Sequence, residues 1–577
     1  MSNEFFGRAK IISPDGKERY DLTVNQQGEL VDFNKILNAD KQAYYNKYGK
    51  ISPLLYDKML QSSEKETLSV SLWVAVKQER IDKSQFTAEE LKESYWLLLA
   101  YRQQNQTARF NLRNLLREHL GIEVQAESEI APVVYLNLTP GQIRELNTWR
   151  EVGGLFLHST AGFNDLANSM SIANADNVVP PTGIWEGTDT ISCVWELGPD
   201  DLTNLVIDDH YTTPWPGSSS HARLVTAIIR NVESSAPHGY APDATIYSGN
   251  SYDVAALEWC VKNQYATVVN QSFHRSEEQT SDILSEDDIL KDYMALDFPY
   301  PTIIQAAGNG DSDEYVNHKG FNSLTVGNHN DSATAMSNTS VFRNPSSLNG
   351  DRELPELAAN GTDVTAVGLT IEGTSFASPA VAGTVALLQE VDSTLKTWPE
   401  ANRAILLASA TLNVSGSTWY NDIGSIDAHD GSGALNTEEA VEIAGVRQSQ
   451  NNSASRRGWD VGLLDDSKFD DYEPVFSYSV QVPSSGSTHV KVALAWDSKV
   501  GLDPITSEPN SSELVTDFDL YIYDEEYNLV GYSGSYDNSY EIAEFDGIAD
   551  ETYTIKIYRF VGEGESSYYG LAWTVNN

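Results

Sequence analysis

The sequence predicts an α/β protein in three parts: a small ferredoxin-like α/β unit, a larger domain around a parallel sheet, and an antiparallel β-sandwich. Three observations predict it. Residues 1–160 carry strand and helix signals in β-α-β-α-β order. Residues 186–447 alternate short apolar strands with helical segments, the pattern of a largely parallel sheet. Residues 458–577 switch to period-two alternation of β-formers between turn clusters such as Ser484-Ser485-Gly486, the pattern of a sandwich. Residues 161–185 are rich in Gly, Asn and Ser, include Pro180-Pro181, and read as a linker.

A chain of 577 residues is too long for one ordinary domain. Its 40% hydrophobic content and 12 Trp suffice for real cores. It has no run of about 18 apolar residues, so no transmembrane helix is expected. Met1–Arg8 lacks an apolar signal core, so the chain as written is expected in the cytoplasm; a leader trimmed from it would allow secretion. Cys193 and Cys260 are the only cysteines, too few for a disulfide framework or a multi-thiol metal site. The net charge of −45 is unevenly placed. Residues 1–160 hold 20 Lys and Arg against 21 Asp and Glu, and the remainder 18 against 62. Such an acidic surface repels nucleic acid and anionic membrane, so neither is expected as a partner.

In the first part, Thr67–Val76 is a strand and Thr87–Leu120 a long helical region with Thr87 as its N-cap. Val133–Leu138 is a strand, Thr139-Pro140-Gly141-Gln142-Ile143 opens a short helix, and Val152–Leu157 is strand-like. In the second part, strands are expected at Ile191–Leu197, Ala244–Tyr247, Thr267–Asn270, Pro301–Ala307 and Leu324–Gly327. Helices are expected at His221–Val232, Val254–Gln264, Ser375–Val391 and Pro399–Ala410. The third part offers strands at Val475–Val482, His489–Trp496, Phe518–Tyr523, Tyr553–Tyr558 and Tyr569–Val575.

The most informative stretch is Gly373-Thr374-Ser375-Phe376-Ala377-Ser378-Pro379-Ala380-Val381-Ala382-Gly383. It places Ser375 where an extended segment turns into a helix. Pro379 is expected in the first helical turn, where a missing N–H costs nothing. The dipole at such a terminus favours an anionic nucleophile or oxyanion. By itself a serine there is an N-cap. The whole string, however, closely resembles the nucleophile segment of subtilisin-like serine proteases.

That resemblance calls for partners, and the chain supplies them in order. Ser220-His221 opens an apolar helix, and Gly239-Tyr240-Ala241-Pro242-Asp243-Ala244 follows as the family's Gly-x-Ala-Pro-x-Ala, so the resemblance makes His221 the base. The family's orienting acid ends a strand before a glycine. Here that stretch is Ser192-Cys193-Val194-Trp195-Glu196-Leu197-Gly198, with Glu196 in place of Asp. A Glu reaches further by roughly 1.5 Å, one C–C bond, and Asp200, Asp201, Asp208 and Asp209 are its rivals. Ala306-Ala307-Gly308-Asn309 resembles the family's oxyanion segment, with the Asn309 amide as donor. Val268-Val269-Asn270-Gln271-Ser272-Phe273-His274 resembles the substrate edge, so Ser272, Phe273, His274 and Gly308 are the expected substrate-binding residues. His274 stands where the family has Gly.

The resemblance implies a serine endopeptidase acting on proteins or peptides, with no cofactor in the chemistry. Residues 1–160 resemble the family's inhibitory propeptide, cleaved near 161–185, and 458–577 its jelly-roll appendage. Structural calcium is common in the family, and Asp311-Ser312-Asp313-Glu314 and Asp517-Phe518-Asp519 are candidate sites. Two alternatives stay open from the sequence: a catalytically weak peptide-binding protein of the same fold, and another acyl hydrolase on the same triad.

Overall fold

The computed structural model describes residues 7–12, 19–24, 30–31, 33–76, 95–128, 131–157, 166–213, 216–310, 314–410, 414, 430–451, 453–470, 473–502 and 509–575. The chain divides into two compact units, Met1–Ala161 and Gly162–Asn577. No helix among the described residues is long and apolar enough to cross a membrane.

The first unit centres on a four-stranded antiparallel sheet in the order Ala126–Glu127, Val133–Leu138, Leu68–Val74, Val152–Leu157. Leu68, Val70, Leu72 and Val74 alternate into its core, where they meet Leu112 and Leu116 of the helix Tyr95–Leu120. The short helix Pro140–Leu146 starts at a capping box: Gln142 N–H donates to Thr139 Oγ1, and Gln142 Oε1 accepts from Thr139 N–H. The proposed N-cap at Thr87 lies outside the described residues.

The second unit is a seven-stranded parallel sheet with helices, closed by a β-sandwich. Its seven strands are β1 (Ile191–Val194), β2 (Asp209–His210), β3 (Thr245–Ser248), β4 (Val268–Gln271), β5 (Thr302–Ala306), β6 (Leu324–His329) and β7 (Leu357–Asn360). All pair in parallel, in the order β2-β3-β1-β4-β5-β6-β7. Every residue of β4, β5, β6 and β7 is buried. Parallel strands covered on both faces show no alternation of buried and exposed positions, although these include buried polar residues such as Asn270, Gln305 and Asn328. Helix α1 (Ser220–Ile229) follows the β1–β2 region, α2 (Glu286–Ala295) joins β4 to β5, and α3 (Thr374–Val391) and α4 (Pro399–Ser409) follow β7.

The segment read as a linker carries two short helices, Leu166–Ile172 and Ala175–Val178. Leu166, Met170, Ala175 and Val179 bury their side chains in the same core as α1 and α3. The Asn and Ser between them gave a loop-like composition, yet the apolar positions fall on one side. Helix α3 is buried almost throughout; a Cβ on Gly383 would stand 2.5 Å from Tyr240 Cβ, so only glycine lets the two elements approach this closely. Cys193 of β1 and Cys260, left without a pairing by the sequence, form a disulfide.

Two four-stranded antiparallel sheets make the sandwich. One runs Gly458–Leu464, Ser567–Val575, His489–Trp496, Tyr540–Asp546; the other runs Tyr478–Gln481, Thr552–Val561, Asp517–Tyr523, Leu529–Ser533. Val492, Leu494, Trp496, Leu520, Ile522, Ile555, Ile557 and Leu571 fill the space between them. The first sheet lies against α4, where a Cβ on Gly570 would come within 2.4 Å of Ala401 Cα. Buried charges cross this seam. Arg403 of α4 pairs with Glu356 at 3.1 Å and donates to Ser539 Oγ at 2.8 Å. Lys491 of the sandwich donates to Ala410 O at 2.7 Å and Ser432 O at 2.5 Å.

Candidate active site

In a parallel sheet, ligands bind beyond the carboxyl ends of the strands, where the strand order reverses. Here the reversal falls between β1 and β4: the chain goes from β1 out to β2, steps back to β3 beside β1, then crosses to β4 on the other side. Glu196 lies two residues past β1, Ser272 one past β4, and Asn309 three past β5. Sheet topology thus gathers residues far apart in sequence at one edge.

Glu196 is fully buried, and its Oε1 lies 2.9 Å from His221 Nδ1. His221 sits in the first turn of α1, which Ser219 caps by accepting from Ala222 N–H. Burial pushes the imidazole pKa down, but the charge of Glu196 and its hydrogen bond outweigh this and hold it above its ordinary value. Nδ1 must carry the proton to bond the carboxylate, which leaves Nε2 free to act as a base. The rival acids are engaged elsewhere. Asp200 and Asp201 face Arg223 at 3.1 and 3.5 Å, Asp208 accepts from Ile246 N–H, and Asp209 from the His210 N–H.

Ser375 is the second residue of α3 and is 8% exposed. The ring of the next residue, Phe376, lies 5.1 Å from that of His221. The Ser375 hydroxyl donates to Ser272 O at 3.1 Å rather than to His221. Pro379 is not in the first turn: it is the sixth helical residue, inside α3. There it has no N–H to offer the carbonyl of Ser375, four residues back. Ser272 Oγ fills that gap, donating to Ser375 O at 2.8 Å. Ser272 Oγ is itself oriented by Asn270 Nδ2 at 3.0 Å, and Asn270 Oδ1 accepts from Ser378 Oγ at 2.7 Å. Ser272 therefore supports the helix that carries Ser375, a role its place in the sequence does not announce.

Asn309 Oδ1 accepts from Thr374 N–H at 2.9 Å, which fixes the amide orientation and leaves Nδ2 on the far side. Gly308 N–H donates to Thr374 Oγ1 at 3.0 Å. Gly308 has φ +115°, and a Cβ there would lie 2.4 Å from Asn317 Nδ2, so the turn after β5 requires glycine. The Ser375 N–H belongs to the first turn of α3, whose donors have no intrahelical acceptors. Phe273 packs edge-on against Trp195 at 5.0 Å, and His274 is exposed at the end of the edge segment.

Of the calcium candidates, 311–313 lie outside the described residues. Asp517 and Asp519 sit on one strand of the sandwich. Burial raises Asp519 to about 6; burial and the charges of Asp519, Asp351 and Asp537 raise Asp517 to about 7. Asp517 Oδ1 is buried without a hydrogen-bond partner. An oxygen-only set suits calcium, but among the described residues no third acidic or imidazole donor converges with this pair. The described group that does converge is Glu278, Asp288 and His318. There the Lys291 ammonium stands 3.3 Å from Asp288 and 3.2 Å from His318, where a cation would sit.

A serine at a helix N-terminus, an imidazole held by a buried carboxylate, and an amide anchored to the residue before the serine are parts that a serine hydrolase uses. Residues 196–452 match the model of the subtilase family, peptidase S8. No curated protein matches the chain. Solved structures similar to it include two of MycP1. One, with the N-terminal propeptide removed, is 18% identical over 48% of this chain and 96% of that one, with a TM-score of 0.35. The other, described as from the ESX-1 type VII secretion system, is 17% identical over 49% and 88%, with a TM-score of 0.36.

Proposed function

We propose that the chain is a serine endopeptidase made as a self-inhibited zymogen, with Ser375 as nucleophile, His221 as base, Glu196 as orienting acid and Asn309 as oxyanion donor. The observation that carries this reading is the 2.9 Å contact between Glu196 and His221 beside the N-terminus of α3. An extended peptide entering along Ser272-Phe273-His274 adds a strand to that edge, with Gly308 bordering the cleft. A substrate N–H then takes Ser272 O, the acceptor that the Ser375 hydroxyl uses in the resting state. The released hydroxyl turns about χ1 to His221 Nε2, which accepts its proton as the oxygen attacks the carbonyl. Asn309 Nδ2 and the Ser375 N–H stabilise the oxyanion. His221 returns the proton to the leaving amine, and water resolves the acyl-enzyme.

Residues 1–160 act as the inhibitor in this scheme. Their sheet presents Trp73 and Phe156, each 44% exposed, on its outer face, an apolar surface suited to docking on a partner. Mass spectrometry of wild type beside Ser375→Ala tests the whole reading. Self-cleavage within 155–185 in wild type alone is the expected result. An intact wild-type chain that also fails to react with a fluorophosphonate would overturn it.

A further inference from the structure

The geometry points to Lys291 and His318 as positioning residues that set the orientation of the substrate edge. Neither belongs to the triad, and both are buried, Lys291 on α2 and His318 on the segment before β6. The Lys291 ammonium is 3.0 Å from Gln271 Oε1, 2.5 Å from Gln305 Oε1 and 3.2 Å from His318 Nδ1. An ammonium only donates, so His318 Nδ1 is the acceptor in this contact and its proton sits on Nε2. Glu278 Oε1, at 3.6 Å from the same Nδ1, is beyond hydrogen-bond distance. His318 Nε2 then donates to Phe273 O at 3.1 Å. The second partner of Lys291 does the same: Gln271 Nε2 donates to Phe273 O at 3.2 Å.

One lysine thus aims two donors at a single carbonyl in the middle of Ser272-Phe273-His274. Successive carbonyls of an extended chain point to opposite sides. Ser272 O faces the Ser375 hydroxyl, while Phe273 O faces inward to His318. Pinning Phe273 O inward keeps the flanking peptide groups turned to the cleft, where a peptide would pair. The three ligands Glu278, Asp288 and His318 could otherwise close on a metal; the lysine makes the device part of the chain.

This inference rests on the peptidase reading, and the test separates the two. Wild type, Lys291→Met, His318→Leu and His318→Gln are compared on an extended peptide and on a single-residue ester, with the rate of Ser375 labelling by a small fluorophosphonate. The ester and the label do not use the edge. Lys291→Met and His318→Leu are expected to raise KM for the extended peptide by roughly tenfold, the scale of one unpaired buried carbonyl, and to leave labelling within about twofold. His318→Gln keeps a donor for Phe273 O and is expected to retain the wild-type preference for the longer substrate. The proposal is overturned if His318→Leu keeps that preference, if labelling and peptide cleavage fall together, or if His318→Gln behaves as His318→Leu. Failure of all three variants to fold overturns it too, because the residues would then serve the core alone. A wild type that resists labelling defeats the peptidase reading instead.

Discussion

Shortening Glu196 is the sharpest test of the proposed triad, because the substitution installs the acid that the family normally uses. Glu196 Oε1 reaches His221 Nδ1 at 2.9 Å from a backbone position two residues beyond β1. Glu196→Asp withdraws the carboxylate by one C–C bond, about 1.5 Å. Without a backbone shift the contact opens to roughly 4.4 Å, outside hydrogen-bond range. Such a shift is opposed by the bonds that fix this segment, Trp195 N–H to Asn270 O at 2.9 Å and Ser251 N–H to Glu196 O at 2.8 Å. Losing a charged hydrogen bond costs about 1.5–3 kcal/mol, or roughly 10- to 150-fold in rate. Loss of tautomer control carries the upper bound to about 10⁴. The assay is kcat/KM on a peptide beside the pseudo-first-order rate of fluorophosphonate labelling. Both should fall together, since both need an activated Ser375. The limb of the pH profile set by His221 should move to lower pH, because the group that raises its pKa has retreated while burial remains. A variant within twofold of wild type, with an unmoved limb, would refute the claim that reach is what makes Glu196 the orienting acid.

Other outcomes follow from the same geometry. Asn309→Ala should lower kcat by about 10²–10³ with little change in KM, because in the proposed role its Nδ2 acts on charge that exists only in the transition state. Ser272→Ala should cost about 1–3 kcal/mol of stability by stranding Ser375 O. Pro379→Ala in the same chain should recover part of that loss by restoring an N–H four residues on, seen by thermal melts as a non-additive double-mutant cycle. Asp517, at about 7 when folded, holds a proton that the unfolded chain releases near pH 4. Its stabilisation is therefore complete below about pH 4 and lost as pH rises through 7. Asp517→Asn should flatten the fall in Tm between pH 5 and 8, and an equally steep fall in the variant would refute the assignment.

The serine segment and the strands around it were legible because their signals are local and redundant. Val133–Leu138, Val152–Leu157 and His489–Trp496 have the expected bounds. The rest was hidden for physical reasons. Helix α2 was not read at all: Asp287, Asp288, Lys291 and Asp292 look like a solvated face, yet all four are buried. Polar residues that satisfy each other inside a protein have the same letters as polar residues in water, and only their partners distinguish them. His318 lies between strands with no periodic pattern to flag it. Pro379 was misplaced by one helical turn because a proline at a helix start needs no compensation, whereas here Ser272, 107 residues earlier in the chain, supplies it. The spacing of Asn168 to Asn177 disguised two core-forming helices as a loop.

The seam between α4 and the sandwich bears on how the second unit melts. Arg403 and Lys491 are each at most 2% exposed at the side chain, and each donates across the seam, Arg403 to Ser539 Oγ and Lys491 to Ala410 O and Ser432 O. Peeling the sandwich away would take acceptors from a buried guanidinium and a buried ammonium at once, and each hydrogen bond lost from a charged group costs about 1.5–3 kcal/mol. Neither half has a cheap half-open state. Gly162–Asn577 is therefore expected to lose heat-capacity structure in one calorimetric transition with no sandwich-only shoulder, so that proteases in the surroundings meet either a closed molecule or an unfolded chain. For the peptidase proposed above, such all-or-none behaviour gives endurance, because partial opening is what exposes a protease to its own copies.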